Sequence, residues 1–304
     1  MNDKLWLTRI SIFILLATLA ACGGGGSSGG SATTEPPPSG TAPPPSSGSG
    51  PPPGTVDFFA TFPDLWEFRS NPDPVNGLSN DGWWWVEQKV PYRAVVVNVG
   101  RDGGTGLRLH TEPGDFDVSG SDALERNDVA LQYLNGYQGQ ESWWAHSILF
   151  PDDYAIPPPG ARGVVFDFHD TRNLGGQANF IIFVEPGGRL TFKGHAGPTV
   201  VTDDAGNQYD YGADAGPLVK NVWYDFVYHV KWSWNDDGFF QAWVNGVLIL
   251  DHHGRTLYQD YGVILKLANY HTAFGQSSSV IHDRVVRGTT WQVVSLSQLQ
   301  GISP

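Results

Sequence analysis

The 304-residue chain is poor in cysteine, in positive charge and in helix signals. Its single cysteine, Cys22, excludes an intrachain disulfide, so stability must come from a packed core. Lys and Arg total 18 against 31 Asp and Glu, and the resulting net charge of −13 argues against nucleic-acid binding. The sequence also has no HExxH motif, no zinc-type Cys/His spacing, no phosphate-cradling glycine loop and no repeat of solenoid or propeller period.

The N-terminus joins two basic residues to a short apolar run. Lys4 and Arg9 precede an apolar run at residues 10–17. This run is too short to span a bilayer and is typical of a signal-peptide core. The run ends in Leu-Ala-Ala-Cys22-Gly, which resembles a bacterial lipoprotein signal. The resemblance implies removal of residues 1–21 and lipidation of Cys22. An ordinary signal peptide cut elsewhere, or a buried cysteine, is the alternative.

A tether follows the cysteine. Residues 22–54 are almost entirely Gly, Ser, Pro, Thr and Ala, with Glu35 as the one charge. This composition buries no core, and its Pro-Pro-Pro runs favour extended polyproline II. We expect a domain at residues 55–304 that is held off a bacterial envelope membrane as an outer-membrane lipoprotein, periplasmic or surface-exposed, touching the membrane through the lipid anchor only.

Residues 55–304 predict an all-β domain with one large core. Many short apolar runs alternate with turn signals, and no alternating helix pattern accompanies them, so we expect a jelly-roll or concanavalin-like β-sandwich of two antiparallel sheets. Asn245-Gly246 is the strongest two-residue hairpin signal. The predicted strands are Ala94–Val99, Gly106–His110, Asp128–Leu134, Trp143–Leu149, Val164–His169, Phe180–Val184, Arg189–Lys193, Trp223–Trp232, Phe239–Val244, Val247–Leu250, Val263–Leu267 and Trp291–Ser295.

The stretch from Tyr261 to Tyr270 carries the first candidate site residues. On an extended strand, Lys266 and Tyr270 point to one face, about 13 Å apart, and Leu267 points to the other. A cation and a phenol on one face suit an anionic sugar. The alternative is a solvated strand lysine beside a rim aromatic.

Five segments together resemble the jelly-roll polysaccharide lyases of the heparin-lyase and glucuronan-lyase kind, which are related in fold to alginate lyases. They cover nearly the whole domain after about residue 94. The segments are Arg126-Asn-Asp-Val129; Glu141-Ser-Trp-Trp-Ala-His-Ser-Ile-Leu-Phe-Pro-Asp-Asp-Tyr154; Val165-Phe-Asp-Phe-His-Asp170; Trp223-Tyr-Asp-Phe-Val-Tyr-His-Val-Lys-Trp232 with Trp243-Val-Asn-Gly246; and Lys266-Leu-Ala-Asn-Tyr270 with Asp283-Arg-Val-Val-Arg-Gly288.

The resemblance implies a polysaccharide lyase, which removes the C5 proton of a uronic acid and expels the C4 oxygen. By position, Tyr270 would be the acid and, for one sugar epimer, also the base. His169 would be the other base or a carboxylate-side donor, and Lys266 would neutralise charge or depress the pKa of Tyr270. Substrate-binding candidates are Arg126 and Asn127 at the carboxylate, with Gln132, Gln177 and Asn179 on neighbouring strands.

Three positions depart from the family pattern. Asp167 stands where a neutralising Gln is expected, on the same strand face as His169. Asp128 replaces a Glu, and Ala268 replaces a Gly. An acid at position 167 repels a uronate unless it is protonated or paired with a cation, so the carboxylate-neutralising residue stays unassigned.

Some histidines and one arginine also have a structural interpretation. His169 could be a core histidine bonded to Asp170, and Arg126 could form a surface salt bridge with Asp128 or Glu125. His229 and His195 are interpreted as structural, with an accessory role open for His195. His252 and His253 are consecutive and point to opposite strand faces, so they make a poor metal pair.

No cofactor is expected to be required, although the fold allows a structural calcium at Asp152, Asp153 or Asp283. The acidic charge disfavours a sulfated chain, so we expect a monomeric enzyme acting on a non-sulfated anionic polysaccharide such as glucuronan or alginate. The alternative function is a non-catalytic laminin-G or lectin-like glycan-binding sandwich. A hydrolase of similar fold would need two carboxylates about 5–10 Å apart, and no motif supplies them.

Overall fold

The computed structural model describes residues 56–60, 62, 84–88, 90, 93–116, 123–131, 136–170, 177–201 and 209–294. The signal peptide at 1–21, the tether at 22–54 with Cys22, and the candidate residue Gln132 lie outside the described residues. Their assignments stay predictions.

Fifteen strands are present in this part of the chain. They are β1 (Val56–Ala60), β2 (Trp84–Gln88), β3 (Ala94–Val97), β4 (Gly106–Thr111), β5 (Leu124–Leu131), β6 (Glu141–Leu149), β7 (Gly163–Asp170), β8 (Phe180–Glu185), β9 (Arg189–Gly194), β10 (Tyr211–Pro217), β11 (Trp223–Lys231), β12 (Phe239–Val244), β13 (Val247–His253), β14 (Val263–Thr272) and β15 (Ser278–Gly288).

The strands form two antiparallel sheets. The eight-stranded sheet has the order β13-β12-β11-β6-β15-β4-β3, with β1 paired to β15. The seven-stranded sheet has the order β10-β9-β8-β7-β14-β5-β2. Neighbours such as β5 and β14 are far apart in the chain, as a jelly roll requires, so the predicted all-β sandwich of two antiparallel sheets is confirmed.

The core lies between the facing surfaces of the two sheets. Alternation along each strand sends apolar side chains inward, for example Leu265 and Leu267 of β14 and Val129 of β5, all nearly or fully buried. Aromatic rings fill the centre, where Phe168 meets Trp232 edge-on with centroids 5.1 Å apart. The outward-pointing residues of the seven-stranded sheet are therefore free to build a site.

An irregularity in β7 changes which residues reach that outer face. The register shifts between Val164 and Phe166, and both Val165 and Phe166 join the inner core. Val164 packs in a separate apolar cluster on the outside with Ile181. As a result Val164 and Asp167 share the outer face, although strict alternation would place them on opposite faces.

The sequence predictions of individual elements were partly wrong. The Asn245-Gly246 hairpin is confirmed, since both residues have positive φ, 49° and 83°. Trp291–Ser295, predicted as a strand, begins instead a single helical turn, α1 (Trp291–Val294), because Val294 packs with Val227 and Trp243 on the eight-stranded sheet. Strands β1, β2, β10 and β15 were missed. Among the described residues, no helix has the length and apolarity to cross a membrane.

His146 and His282 are two of the histidines buried between the sheets. The His146 ring stacks on Phe166 and Phe226, with centroids 4.2 and 5.0 Å away, and neither ring nitrogen has a hydrogen-bond partner in the described part of the chain. Burial, with the charge of His282 as a smaller cause, lowers the pKa of His146 well below its usual value. Burial also lowers the pKa of His282 to about 3. Both rings are therefore neutral in the folded protein at neutral pH.

We expect acidification to weaken the fold through these two rings. A histidine whose folded pKa is depressed takes up its proton more readily when unfolded, so its stabilising contribution is complete above about pH 6.5 and falls as the pH drops. Each ring costs about 1.4 kcal/mol of unfolding free energy per pH unit in that range. Burial raises the pKa of Asp283 to about 6, so the folded protein binds a proton there more readily than the unfolded chain. This one group partly offsets the loss of stability at low pH. Urea unfolding at about pH 7 and about pH 5 measures the difference.

The matched variants are His146→Phe and His253→Gln. Phenylalanine fits among the rings around His146 and cannot be protonated, so this variant should lose part of the acid sensitivity, the rest of which belongs to His282 and to His271, whose pKa burial also lowers. His253 is 70% exposed in its side chain, so its replacement should leave the sensitivity unchanged. An unaltered acid loss in His146→Phe would contradict the assignment to the buried ring.

Candidate active site

The outer face of the seven-stranded sheet carries Tyr270 and Arg126 as a cross-strand pair. Tyr270 of β14 pairs with Arg126 of β5, and the Arg126 Cζ atom lies 4.5 Å from the centre of the tyrosine ring. The Arg126 Nε donates a hydrogen bond of 3.2 Å to Asp128 Oδ2. Asp128 is thus confirmed as an ion-pair partner of Arg126, but the pair is buried on the Asp128 side rather than at the surface. It coexists with a guanidinium held over the Tyr270 ring. A phenol beside a fixed cation is suited to proton transfer near an anionic ligand.

Lys266 occupies the same face of β14 but is completely buried. Its side chain is 0% exposed, with Nζ 4.0 Å from Asp128 Oδ2. On the other side it pairs across β14 and β7 with Asp167, so the two Cβ atoms are direct cross-strand neighbours. Asp128 and Asp167 are also buried. The alternative of a solvated lysine is therefore wrong: the ammonium lies between the strands that carry two buried carboxylates, which gives the unexpected acid at position 167 a cation.

His169 lies farther along the sheet. Its Nδ1 is 3.2 Å from Asp170 Oδ2, which confirms the expected contact with its neighbour, and its side chain is 12% exposed. His169 pairs with Ile264, whereas Tyr270 pairs with Val164. Positions 264 and 270 are six residues apart on β14, about 20 Å at 3.3 Å per residue. The register therefore places His169 on the same face as Tyr270 without bringing the two side by side.

In the described part of the chain, the predicted amide ligands Asn127 and Asn179 bond to backbone oxygens rather than facing Tyr270. Asn127 points inward, fully buried, and its Nδ2 donates to the His110 carbonyl oxygen at 3.1 Å. Since neighbouring strand residues face opposite ways, Arg126 and Asn127 do not meet one carboxylate as first expected. Asn179 is buried, with Nδ2 donating to the His195 carbonyl oxygen at 3.0 Å. The Gln177 carbonyl oxygen accepts from Tyr258 Oη at 2.8 Å.

Sequence reasoning missed Arg162, which flanks Tyr270 on the side away from Arg126. Arg162 precedes β7, and Thr272 of β14 donates its backbone N–H to the Arg162 carbonyl oxygen at 3.1 Å. Its Cζ lies 4.8 Å from the centre of the Phe183 ring on the outer face. No motif marks this residue, and strand register alone reveals it.

His229 and His195 make contacts with side chains other than those of the Tyr270 site. His229 Nε2 lies 2.7 Å from Glu141 Oε1 and its ring stacks on Trp143 at 3.8 Å, on the eight-stranded sheet, as a structural role predicts. His195 is buried, with its ring 4.7 Å from that of Tyr209. In the described ranges, no three His, Cys, Asp or Glu side chains are grouped so that they could hold a metal ion. The calcium site considered at Asp152, Asp153 or Asp283 stays an expectation.

Two solved lyase structures are similar to this chain. The endo-β-1,4-glucuronan lyase of the fungus Trichoderma reesei superposes with a TM-score of 0.55 at 16% identity, covering 79% of this chain and 98% of that one. The marine alginate lyase of Aplysia kurodai gives a TM-score of 0.49 at 10% identity, covering 78% and 100%. A search of curated proteins finds no match.

A family model described as polysaccharide lyase matches residues 75–286, which is more than half of the chain. The matched range contains β2 to β14 and most of β15, and it includes Arg126, His169, Lys266 and Tyr270. The chain therefore belongs to the polysaccharide lyase family and is a lyase of jelly-roll fold.

Proposed function

We propose that the protein cleaves a non-sulfated, uronic-acid-containing polysaccharide of the glucuronan or alginate type by β-elimination, with Tyr270 as the proton-transfer residue. The observation that carries the proposal is the Arg126 guanidinium lying 4.5 Å from the Tyr270 ring centre on the outer face of the sheet. One residue supplies a proton-transfer oxygen and the other a partly exposed cation for the sugar carboxylate.

The proposed reaction begins with the uronate carboxylate at Arg126. Its neutralisation stabilises the negative charge that develops when the C5 proton leaves. Tyr270, starting as the phenolate, takes that proton, a C4–C5 double bond forms, and the C4–O bond breaks. The departing C4 oxygen receives this proton from the Tyr270 phenol, which restores the phenolate, so one side chain acts as base and then as acid. Atoms and charge balance, and no co-reactant is needed.

Lys266 and His169 take different roles in this proposal. Lys266 is buried beside Asp128 and pairs across the strands with Asp167. It therefore compensates the negative charge beneath the site and acts on the substrate through Asp128 and Arg126. His169 lies about 20 Å along the strand from Tyr270. It therefore remains a candidate base only if the chain rearranges on binding, and Tyr270 alone serves both proton transfers here.

The experiment follows ultraviolet absorbance of the unsaturated uronate product on a panel of polysaccharides. Glucuronan and alginate are the first substrates, and heparin is the sulfated comparison. The net charge of −13 repels a densely sulfated chain at long range, so heparin should react least. Absence of the unsaturated product from every uronate polymer, by a folded protein, would overturn the proposal.

We also propose that the enzyme is held at the bacterial cell envelope by a lipid on Cys22, with residues 22–54 as its tether. The proposal rests on the sequence around Cys22 and on the composition of the tether. Incorporation of a labelled fatty acid into the native chain, compared with a Cys22→Ser chain, tests it. Equal labelling of both chains would contradict it.

A further inference from the structure

A second group of cations lies on the outer face of the seven-stranded sheet, around Phe183. Arg162 Cζ and Lys193 Nζ lie 4.8 and 5.2 Å from the centre of the Phe183 ring. Lys193 Nζ also lies 4.8 Å from the centre of the Tyr209 ring, and Arg162 Nη1 donates to Tyr209 Oη at 3.0 Å. We call Arg162, Phe183, Lys193 and Tyr209 the Phe183 cluster.

Strand register connects the Phe183 cluster to Tyr270. Tyr270 pairs with Val164, and Val164 pairs with Phe183, so these three residues lie in one row across β14, β7 and β8. Neighbouring strands are about 4.8 Å apart, which places Phe183 about 10 Å from Tyr270. Arg126 lies at the opposite end of the row, beyond Tyr270. The row therefore runs from Arg126 through Tyr270 and Val164 to Phe183, and the cations Arg162 and Lys193 lie beside its far end.

The charge of the cluster favours an anion. Glu185 Oε1 accepts from Lys193 Nζ at 2.5 Å and balances that ammonium, while Arg162 has a neutral phenol oxygen among its acceptors. Arg162, Lys193 and Glu185 together carry one net positive charge, in a protein with 18 cationic and 31 acidic side chains. Phe183 is only 2% exposed, so it supports the two cations and leaves the partly exposed Tyr209 ring to contact a ligand.

We propose that the Phe183 cluster is a second uronate-binding subsite, which holds the carboxylate of another sugar in the same chain that reacts at Tyr270. The inference rests on the proposed function and adds the direction of the substrate, which runs across the strands from β5 towards β9. Arg162 is the principal ligand, because a guanidinium pairs with a carboxylate through two parallel hydrogen bonds. The apolar outer residue Val164 lies between Tyr270 and Phe183, and Ile181 packs in the same apolar cluster.

The test compares Arg162→Gln with the native enzyme on uronate oligosaccharides of increasing length. Oligomers too short to reach from Arg126 to Arg162 should react equally well with both proteins. Longer ones should lose about tenfold to hundredfold in kcat/KM with the variant, mainly through KM. Arg162→Lys should recover part of the length dependence. Arg189→Gln is the control, because Arg189 belongs to an exposed ion pair with Asp214 on the same sheet.

Two results would overturn the subsite. One is an Arg162→Gln enzyme that keeps the full preference for long oligomers, and the other is an equal loss on every length, which marks a structural role. Titration calorimetry of the same oligomers with Tyr270→Phe and Tyr270→Phe/Arg162→Gln repeats the comparison without turnover. If the native enzyme forms no unsaturated product, the proposed reaction fails, while this binding comparison still decides whether Arg162 holds a second carboxylate.

Discussion

Replacing Tyr270 by Phe should lower kcat by about 10²- to 10⁴-fold, the range expected when a positioned proton-transfer group is removed. The substitution deletes one oxygen and keeps the ring on which the Arg126 guanidinium lies, so binding through Arg126 is retained. KM should therefore change little, because the lost interaction belongs to the transition state. Formation of the unsaturated product, measured by ultraviolet absorbance on the best polymer of the panel, gives both constants.

Tyr228→Phe is the matched control for that experiment. It makes the same chemical change at a fully buried tyrosine of β11, whose hydroxyl has no hydrogen-bond partner in the described part of the chain. We expect full activity and unchanged or slightly higher stability, because a buried hydroxyl without a partner is costly. If Tyr270→Phe retains the native rate, the phenol is not the proton-transfer group.

Replacing Lys266 by Met should destabilise the fold by about 3–5 kcal/mol, the cost of leaving buried charges without their partner. Methionine fills a similar volume, so the loss measures charge rather than packing. Asp128 would retain Arg126, whereas Asp167 would lose the cation directly across from it. The free energy of unfolding, determined by urea denaturation at neutral pH, gives the magnitude.

Two further variants test whether the stability loss in Lys266→Met comes from the buried carboxylates. Lys231→Met breaks an exposed pair with Asp237 on the other sheet and should cost at most about 1 kcal/mol. Adding Asp167→Asn to Lys266→Met should restore part of the stability, because the amide carries no charge to leave unbalanced. A Lys266→Met protein as stable as the native one would show that the ammonium does not compensate these carboxylates.

The sequence predicted the local elements of the fold better than it predicted the arrangement of the candidate site. The alternation in β14 and the Asn245-Gly246 turn are local patterns, and both were read correctly. The segment Trp291–Val294 was predicted wrongly because a short, mostly apolar run suits a strand or a helical turn, and only its packing against β6, β11 and β15 selects the turn. The edge strand β10, Tyr211–Pro217, was missed because its Gly- and Asp-containing sequence has little strand propensity.

The sequence by itself determined the sandwich class, the side of β14 on which Lys266 and Tyr270 lie, and the residue types available for lyase chemistry, since all three depend on composition and the two-residue period of a strand. Only the tertiary structure decided that Arg126 covers Tyr270, that Lys266 is buried against Asp128 and Asp167, that Asn127 faces inward, and that His169 is displaced along the sheet. Those facts depend on the register between strands far apart in the chain and on the shift within β7, and no local pattern encodes either.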